Sequence, residues 1–296
     1  MQHLAESGVY RLLYGDICQE NEQYSIRDDE KNLDFLSPLE LKINGQKNKN
    51  DNLLIFNSLT TKIRIMPKVR YLKIRFSQNV FPNEIPRFRA AVIEKTKRES
   101  SLFHNHKSDT EYLYRYPLIQ YKVTNKKASI ICLNEGTDDI HYLLQNRNLD
   151  LRIGNKTLPF EIEDINMHYH QIQTWDKLFN YSLLNWLPLN QKNHKIYHEL
   201  KSEIEKIALL NRILTGNLLS MAKGIQWFLE DRLVVEITKI KQIKMLERKG
   251  KKLHAFSLNF KSNLSLPDYL GIGKGCSVGF GVVKQFRMEN QKMLTT

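Results

Sequence analysis

Two histidines and a lysine crowd one short segment, "SSLFHNHKSDTEYLYRYP": His104, His106 and Lys107, with Arg115 close behind. Such a set can break a phosphodiester without a metal. One imidazole takes a proton from the attacking oxygen, a second returns one to the leaving oxygen, and a cation opposes the charge that builds between them. A metal reading of the segment is weaker. Two histidines are half of a tetrahedral ligand set, and no carboxylate or cysteine stands at a suggestive spacing beside them. The plain alternative is a pair of exposed loop histidines with no role.

A second candidate is "GIGKGCSVGFGVVKQF", residues 271–286, which holds five of the chain's 13 glycines. Gly271, Gly273 and Gly275 around Lys274, followed by Ser277, suggest a loop whose amides and one ammonium face an anion. The spacing fails the phosphate-loop pattern, because Gly275 rather than Ser or Thr follows the lysine. It also fails the dinucleotide fingerprint, since Val278, Phe280, Val282, Val283 and Phe286 read as a strand where that motif needs a helix. The structural alternative is a glycine-rich hairpin entering an edge strand. Other histidines compete for a role. His194 and His198 share a helix face as metal pairs do, but without a third ligand they read as a solvated helix start. His168 and His170 flank Tyr169 on one face of a strand, where structural use outweighs RNA contact.

These residues need elements to position them. With 296 residues and 41% hydrophobic content the chain is long enough for two globular domains. No apolar run approaches the roughly 20 residues that span a bilayer. The opening "MQHLAESGVY" lacks the basic end and apolar core of an export signal. Cys18, Cys132 and Cys276 give neither a disulfide framework nor zinc spacing, so a cytoplasmic location is expected. Charge is uneven. Residues 1–65 carry eight Lys/Arg and ten Asp/Glu, leaving 37 and 22 on residues 66–296, a basic body suited to a polyanion.

Residues 1–65, with "NGQKNKNDN", show no amphipathic period and are expected to be an extension or to lie upstream of a natural start at Met66. From there the order is legible. "YLKIRFS" alternates Leu72, Ile74 and Phe76 with Lys73 and Arg75, a half-buried strand. "NEIPRFRAAVIEKTKR" suits a helix burying Ile85, Phe88 and Val92, with Arg87, Arg89, Lys95 and Arg98 on its wet side. "YRYPLIQYKV" and "ASIICLN" form a strand pair turning at Thr124–Lys127. "DDIHYLLQN" is a short helix capped by Thr137 or Asp138, and "LDLRI" a strand. That β-α-β-β-α-β order is the split-βαβ ferredoxin-like unit. A second unit follows: strands in "PFEIEDINMHYHQIQTW" and "YSLLNWLPL", then a long helix over Asn193–Ala222. Its expected apolar face holds Ile196, Leu200, Ile204, Ile207, Leu210 and Leu214. The basic strand pair "RLVVEITKIKQIKMLER" and "KKLHAFSLNFK" and the glycine loop complete it. The expected class is α+β, two tandem ferredoxin-like (RRM-like) domains, 66–153 and 154–296, sharing a basic cleft.

The motifs "LFHNHK…YRYPLIQYK" and, far downstream, "GIGKGCSVGFGVV" resemble the CRISPR-associated endoribonucleases that cut precursor CRISPR RNA within its repeats. The resemblance runs from about Met66 to Phe286. It implies metal-independent, cofactor-free cleavage, in which a ribose 2′-OH attacks the adjacent phosphate and leaves a cyclic phosphate and a 5′-OH. It puts the catalytic histidines on His104 and His106, with Lys107 beside them and neither assigned singly as base or acid. Arg115, Gly271, Gly273, Lys274, Gly275 and Ser277 then contact RNA. The implied partner is CRISPR repeat RNA, with other effector-complex proteins and a second copy of the chain as further candidates. The rival reading is a catalytically inactive RNA-binding subunit of a CRISPR effector complex, which would have no need of the paired histidines. A structural nucleic-acid-binding protein unrelated to CRISPR rests on basic composition alone.

Overall fold

The computed structural model describes residues 68–97, 101–104, 116–227, 229, 231–248 and 250–287, and these build two four-stranded antiparallel sheets. The first half runs β1 (Lys68–Asn79), α1 (Ile85–Lys95), α2 (Ser101–His104), β2 (Ile119–Thr124) and β3 (Lys127–Leu133). It continues through α3 (Glu135–Asp139), α4 (His141–Leu144), β4 (Leu151–Ile153), β5 (Lys156–Leu158) and β6 (Ile162–Gln171). The sheet order is β2-β3-β1-β6. Leu72, Ile74 and Phe76 of β1 are fully buried, as the alternation requires. They meet α1, whose Phe88 stacks on Phe160 with ring centroids 5.5 Å apart and stands edge-on to Tyr121 at 5.7 Å. The turn between β2 and β3 puts Asn125 (φ 51°) and Lys126 (φ 65°) in the left-handed region, as a tight two-residue hairpin loop demands.

Two expectations for this half are corrected. "LDLRI" supplies β4, which among the described residues pairs only with β5, in a two-stranded ribbon outside the sheet. The fourth strand is β6, lying antiparallel to β1 from Lys68↔Gln171 to Phe76↔Ile162. The first unit therefore ends near residue 171, not at 153, because its edge strand is drawn from beyond the ribbon. Arg89, expected on the wet face of α1, is half-buried and donates from Nε to the Phe103 carbonyl (3.3 Å), tying α2 to α1. Arg98 lies outside the described residues.

The second half runs β7 (Thr174–Trp186), α5 (Gln191–Glu199), α6 (Glu203–Gly224), β8 (Val235–Arg248), β9 (Lys251–Leu264) and β10 (Val282–Gln285), with sheet order β10-β7-β9-β8. One face, with Tyr181, Leu183, Phe256, Leu258 and Phe260, shares a core with Leu210, Leu214 and Leu218 of α6. Val69, Tyr71, Ile131 and Leu133 of the first sheet join the same core, so the two sheets are bonded by apolar burial. The helix expected over Asn193–Ala222 is two. Leu200 and Ser202 take extended backbone, and the phase slip leaves Ile204 80% exposed instead of on the buried face.

Candidate nucleic-acid interface

Between β9 and β10 the chain forms a loop that closes on itself and on the first sheet. Ile272 N donates to Gly281 O (2.8 Å), and Gly271 and Val282 face each other as an isolated bridge. The loop is then fastened to β2. Gly271 N donates to Gln120 Oε1 (2.9 Å), Tyr116 OH to Gly271 O (2.7 Å), and Tyr121 N to Ser277 O (2.9 Å). Fully buried Lys122 donates from Nζ to Cys276 O (2.6 Å), and burial pulls its pKa down to about 8. Most of the glycines answer to this packing. A Cβ on Gly271 would strike Lys122 Nζ, one on Gly279 would strike Ile85 of α1, and one on Gly281 the Ile272 carbonyl. At the tip, Gly273 (φ 79°) lies against Asn217 and Trp186, which are joined by a Trp186 Nε1 to Asn217 Oδ1 bond of 2.9 Å.

The tip also keeps donors in reserve. Among the described residues, the amides of Gly273, Lys274, Gly275 and Ser277 make no hydrogen bond, and Lys274 is exposed. Successive free amides beside an ammonium are what an anion needs. The strand predicted from Val278 onward starts only at Val282.

Lysines from both sheets gather next to it. Tyr269 sits in the left-handed region (φ 65°), with Lys73 Nζ of β1 5.8 Å and Lys284 Nζ of β10 6.0 Å from its ring centroid. Lys284, Ser182, Asn259 and Lys239 lie opposite one another across β10, β7, β9 and β8, and so share the face turned away from the core. There Lys241 Nζ donates to Ser182 Oγ (3.1 Å) and stands 5.9 Å from the Phe286 ring. On the first sheet the positive charge is partly neutralised. Lys73 lies 3.6 Å from Asp164, and Arg75 3.5 Å from Glu163.

His104 ends α2, and the carbonyl of Phe103 before it is held by Arg89, one turn from the Ile85 that meets Gly279. His106, Lys107 and Arg115 lie outside the described residues. His168 and His170 do share a sheet face, their rings 6.1 Å apart. His168 Nδ1 pairs with Asn166 Oδ1 at 2.9 Å, and burial lowers its pKa, with Lys73 adding to the effect. Gln120, Lys122, Tyr269 and Lys284 escaped sequence reasoning, since an anchoring role shows only when strands far apart in sequence are brought together.

The family model of the Cas6b N-terminal domain matches residues 67–171, and that of the Cas6b C-terminal domain matches residues 173–286. The chain belongs to the Cas6b family. The junction between the two matches coincides with the passage from β6 to β7. A crystal structure of Cas6b is 29% identical with a TM-score of 0.67, covering 74% of this chain and 100% of that one. A crystal structure of a CRISPR RNA processing endoribonuclease Cas6b shares the fold at 24% identity and a TM-score of 0.58, with the same coverage. An uncharacterized protein of Methanocaldococcus jannaschii is 36% identical over 109 residues, 36% of this chain and 73% of that protein. No helix among the described residues is long and apolar enough to cross a membrane.

Proposed function

We propose that this Cas6b protein cuts CRISPR repeat RNA, without metal or cofactor, to release guide RNAs. The observation that carries the reading is family membership across both domains, in a family that includes a solved CRISPR RNA processing endoribonuclease. Each sheet has the strand order of a ferredoxin-like unit, and in the second unit the glycine loop stands where the second crossover helix would be. Phosphates are held by the free amides of Gly273, Lys274, Gly275 and Ser277 and by the Lys274 ammonium, with Gly271 shaping the loop base. Arg115 adds a charge, and Tyr269 offers a ring for a base to stack on between two lysines.

In the cutting step the 2′-oxygen forms a bond to phosphorus as the bond from phosphorus to the 5′-oxygen breaks. One of His104 and His106 accepts the 2′ proton, the other donates a proton to the leaving 5′-oxygen, and Lys107 opposes the charge on the phosphoryl oxygens. The products are a 2′,3′-cyclic phosphate and a 5′-OH. The test is cleavage of end-labelled repeat RNA in excess EDTA, beside a substrate with one 2′-deoxy sugar upstream of the cut. Cutting of the first and binding without cutting of the second are expected. Loss of cutting in chelator restored by magnesium, or scission of the deoxy substrate, would overturn the mechanism.

A further inference from the structure

His194 and His198 have a third neighbour that their spacing in the sequence does not reveal. They stand one turn apart on α5, ring centroids 4.4 Å from each other. His254 of β9 lies 5.4 Å from the first ring and 5.3 Å from the second. The fold fixes this meeting. Tyr197, between the two helix histidines, is buried with its ring edge-on to Phe256 at 5.8 Å, and Phe256 is two residues from His254 on the same face of β9. One ligating nitrogen from each histidine lies within 4.8 Å of the other two. His254 Nδ1 is buried and has no hydrogen-bond partner among the described residues, which leaves an imidazole nitrogen desolvated for no return within the protein.

We infer that His194, His198 and His254 form a site for a divalent first-row transition ion, zinc foremost, that fastens α5 to the β8–β9 hairpin. Three imidazoles with no thiolate suit zinc, copper or nickel, whereas magnesium and calcium seek oxygen ligands. Zinc–nitrogen bonds of about 2.0–2.1 Å set tetrahedral ligand nitrogens about 3.4 Å apart, a spacing that rotation of the exposed His194 and His198 side chains can reach from separations within 4.8 Å. Water fills the fourth position.

The test uses untagged full-length protein, stripped with chelator, titrated with zinc chloride by calorimetry and melted with and without zinc. One zinc per chain and a melting midpoint that rises with zinc concentration are expected, and magnesium should do neither. His194→Gln and His254→Gln should each weaken zinc by more than the roughly 10–100-fold that loss of an outer-shell partner costs, and should abolish the midpoint shift. Cobalt(II) should give the visible absorption of a four-coordinate ion with wild type and lose it in both variants. His194 is exposed, so its variant puts no core packing at stake. Absence of saturable zinc binding, or binding that both substitutions leave intact, would overturn the site. Cutting is not the readout, so the outcome is independent of the endonuclease reading.

Discussion

A fully buried ammonium whose described partner is one carbonyl is costly, and Lys122 shows how the cost depends on pH. Its pKa falls from an ordinary 10.5 to about 8 in the folded protein. Above about 10.5 the side chain is neutral in both states. As pH falls toward 8 the unfolded chain takes up the proton first, and folded stability drops by roughly 3 kcal/mol before levelling off. Lys122→Met removes the titration and, at every pH, the Lys122 hydrogen bond to the Cys276 carbonyl. Urea unfolding should therefore show wild type gaining on the variant by up to about 3 kcal/mol between pH 7 and 10.5. A constant gap would show that the ammonium is not desolvated. The residues assigned to RNA call for kinetics and salt titrations instead. Lys274→Ala should lower the salt slope of RNA binding by about 0.7, the loss of one single-strand phosphate contact. His104→Ala and His106→Ala should leave binding nearly unchanged, with cutting reduced by roughly 10²–10⁴-fold in at least one. Wild-type cutting in both would move the search to Lys107 and Arg115.

At the scale of elements, the glycine loop is where sequence and structure diverge most usefully. Its composition announces an unusual backbone, but the reason differs along its length. Gly281 (φ 60°) has the Ile272 carbonyl where a Cβ would sit, so Gly281→Ala should destabilise the fold by about 1–3 kcal/mol in urea and weaken RNA binding with it. Gly216, inside α6 with nothing within 4 Å of its would-be Cβ, is the control. Its alanine variant should gain about 0.5–1 kcal/mol. A neutral Gly281→Ala would mean the loop can shift without loss. What could be read in advance follows the range of the forces involved. Strand β1, helix α1 and the β2–β3 turn depend on local period and turn chemistry, and they were legible. The fourth strand was not, because "LDLRI" and β6 both look like strands and only pairing with β1, some ninety residues earlier, decides between them. The break before α6 had a signal: Ser202 with Glu205 three residues on is the capping-box pattern, hidden by an apolar period that runs through it. The anchors Gln120 and Lys122 carried no local signal, since each is an ordinary strand residue until the loop is laid over it.

The whole molecule separates by charge, and this gives the last prediction. Residues 66–296 hold the basic excess, while residues 1–65 carry more acid than base. Residues 66–296 form one compact unit, and β1, which begins at Lys68, lies inside its sheet between β3 and β6. Both Cas6b matches fall within residues 67–286, as do the glycine loop and the three histidines of the inferred metal site. A chain beginning at Met66 therefore retains every strand pairing of β1 and the shared core of the two sheets. It should unfold cooperatively with the same urea midpoint as the full-length protein. It should bind repeat RNA with equal or slightly higher affinity, since ten carboxylates are removed against eight cations. It should also cut at the full-length rate. The measurement is a side-by-side urea melt, RNA titration at two salt concentrations and single-turnover cleavage. An insoluble shortened chain, or one that binds RNA and fails to cut, would make residues 1–65 part of the working enzyme.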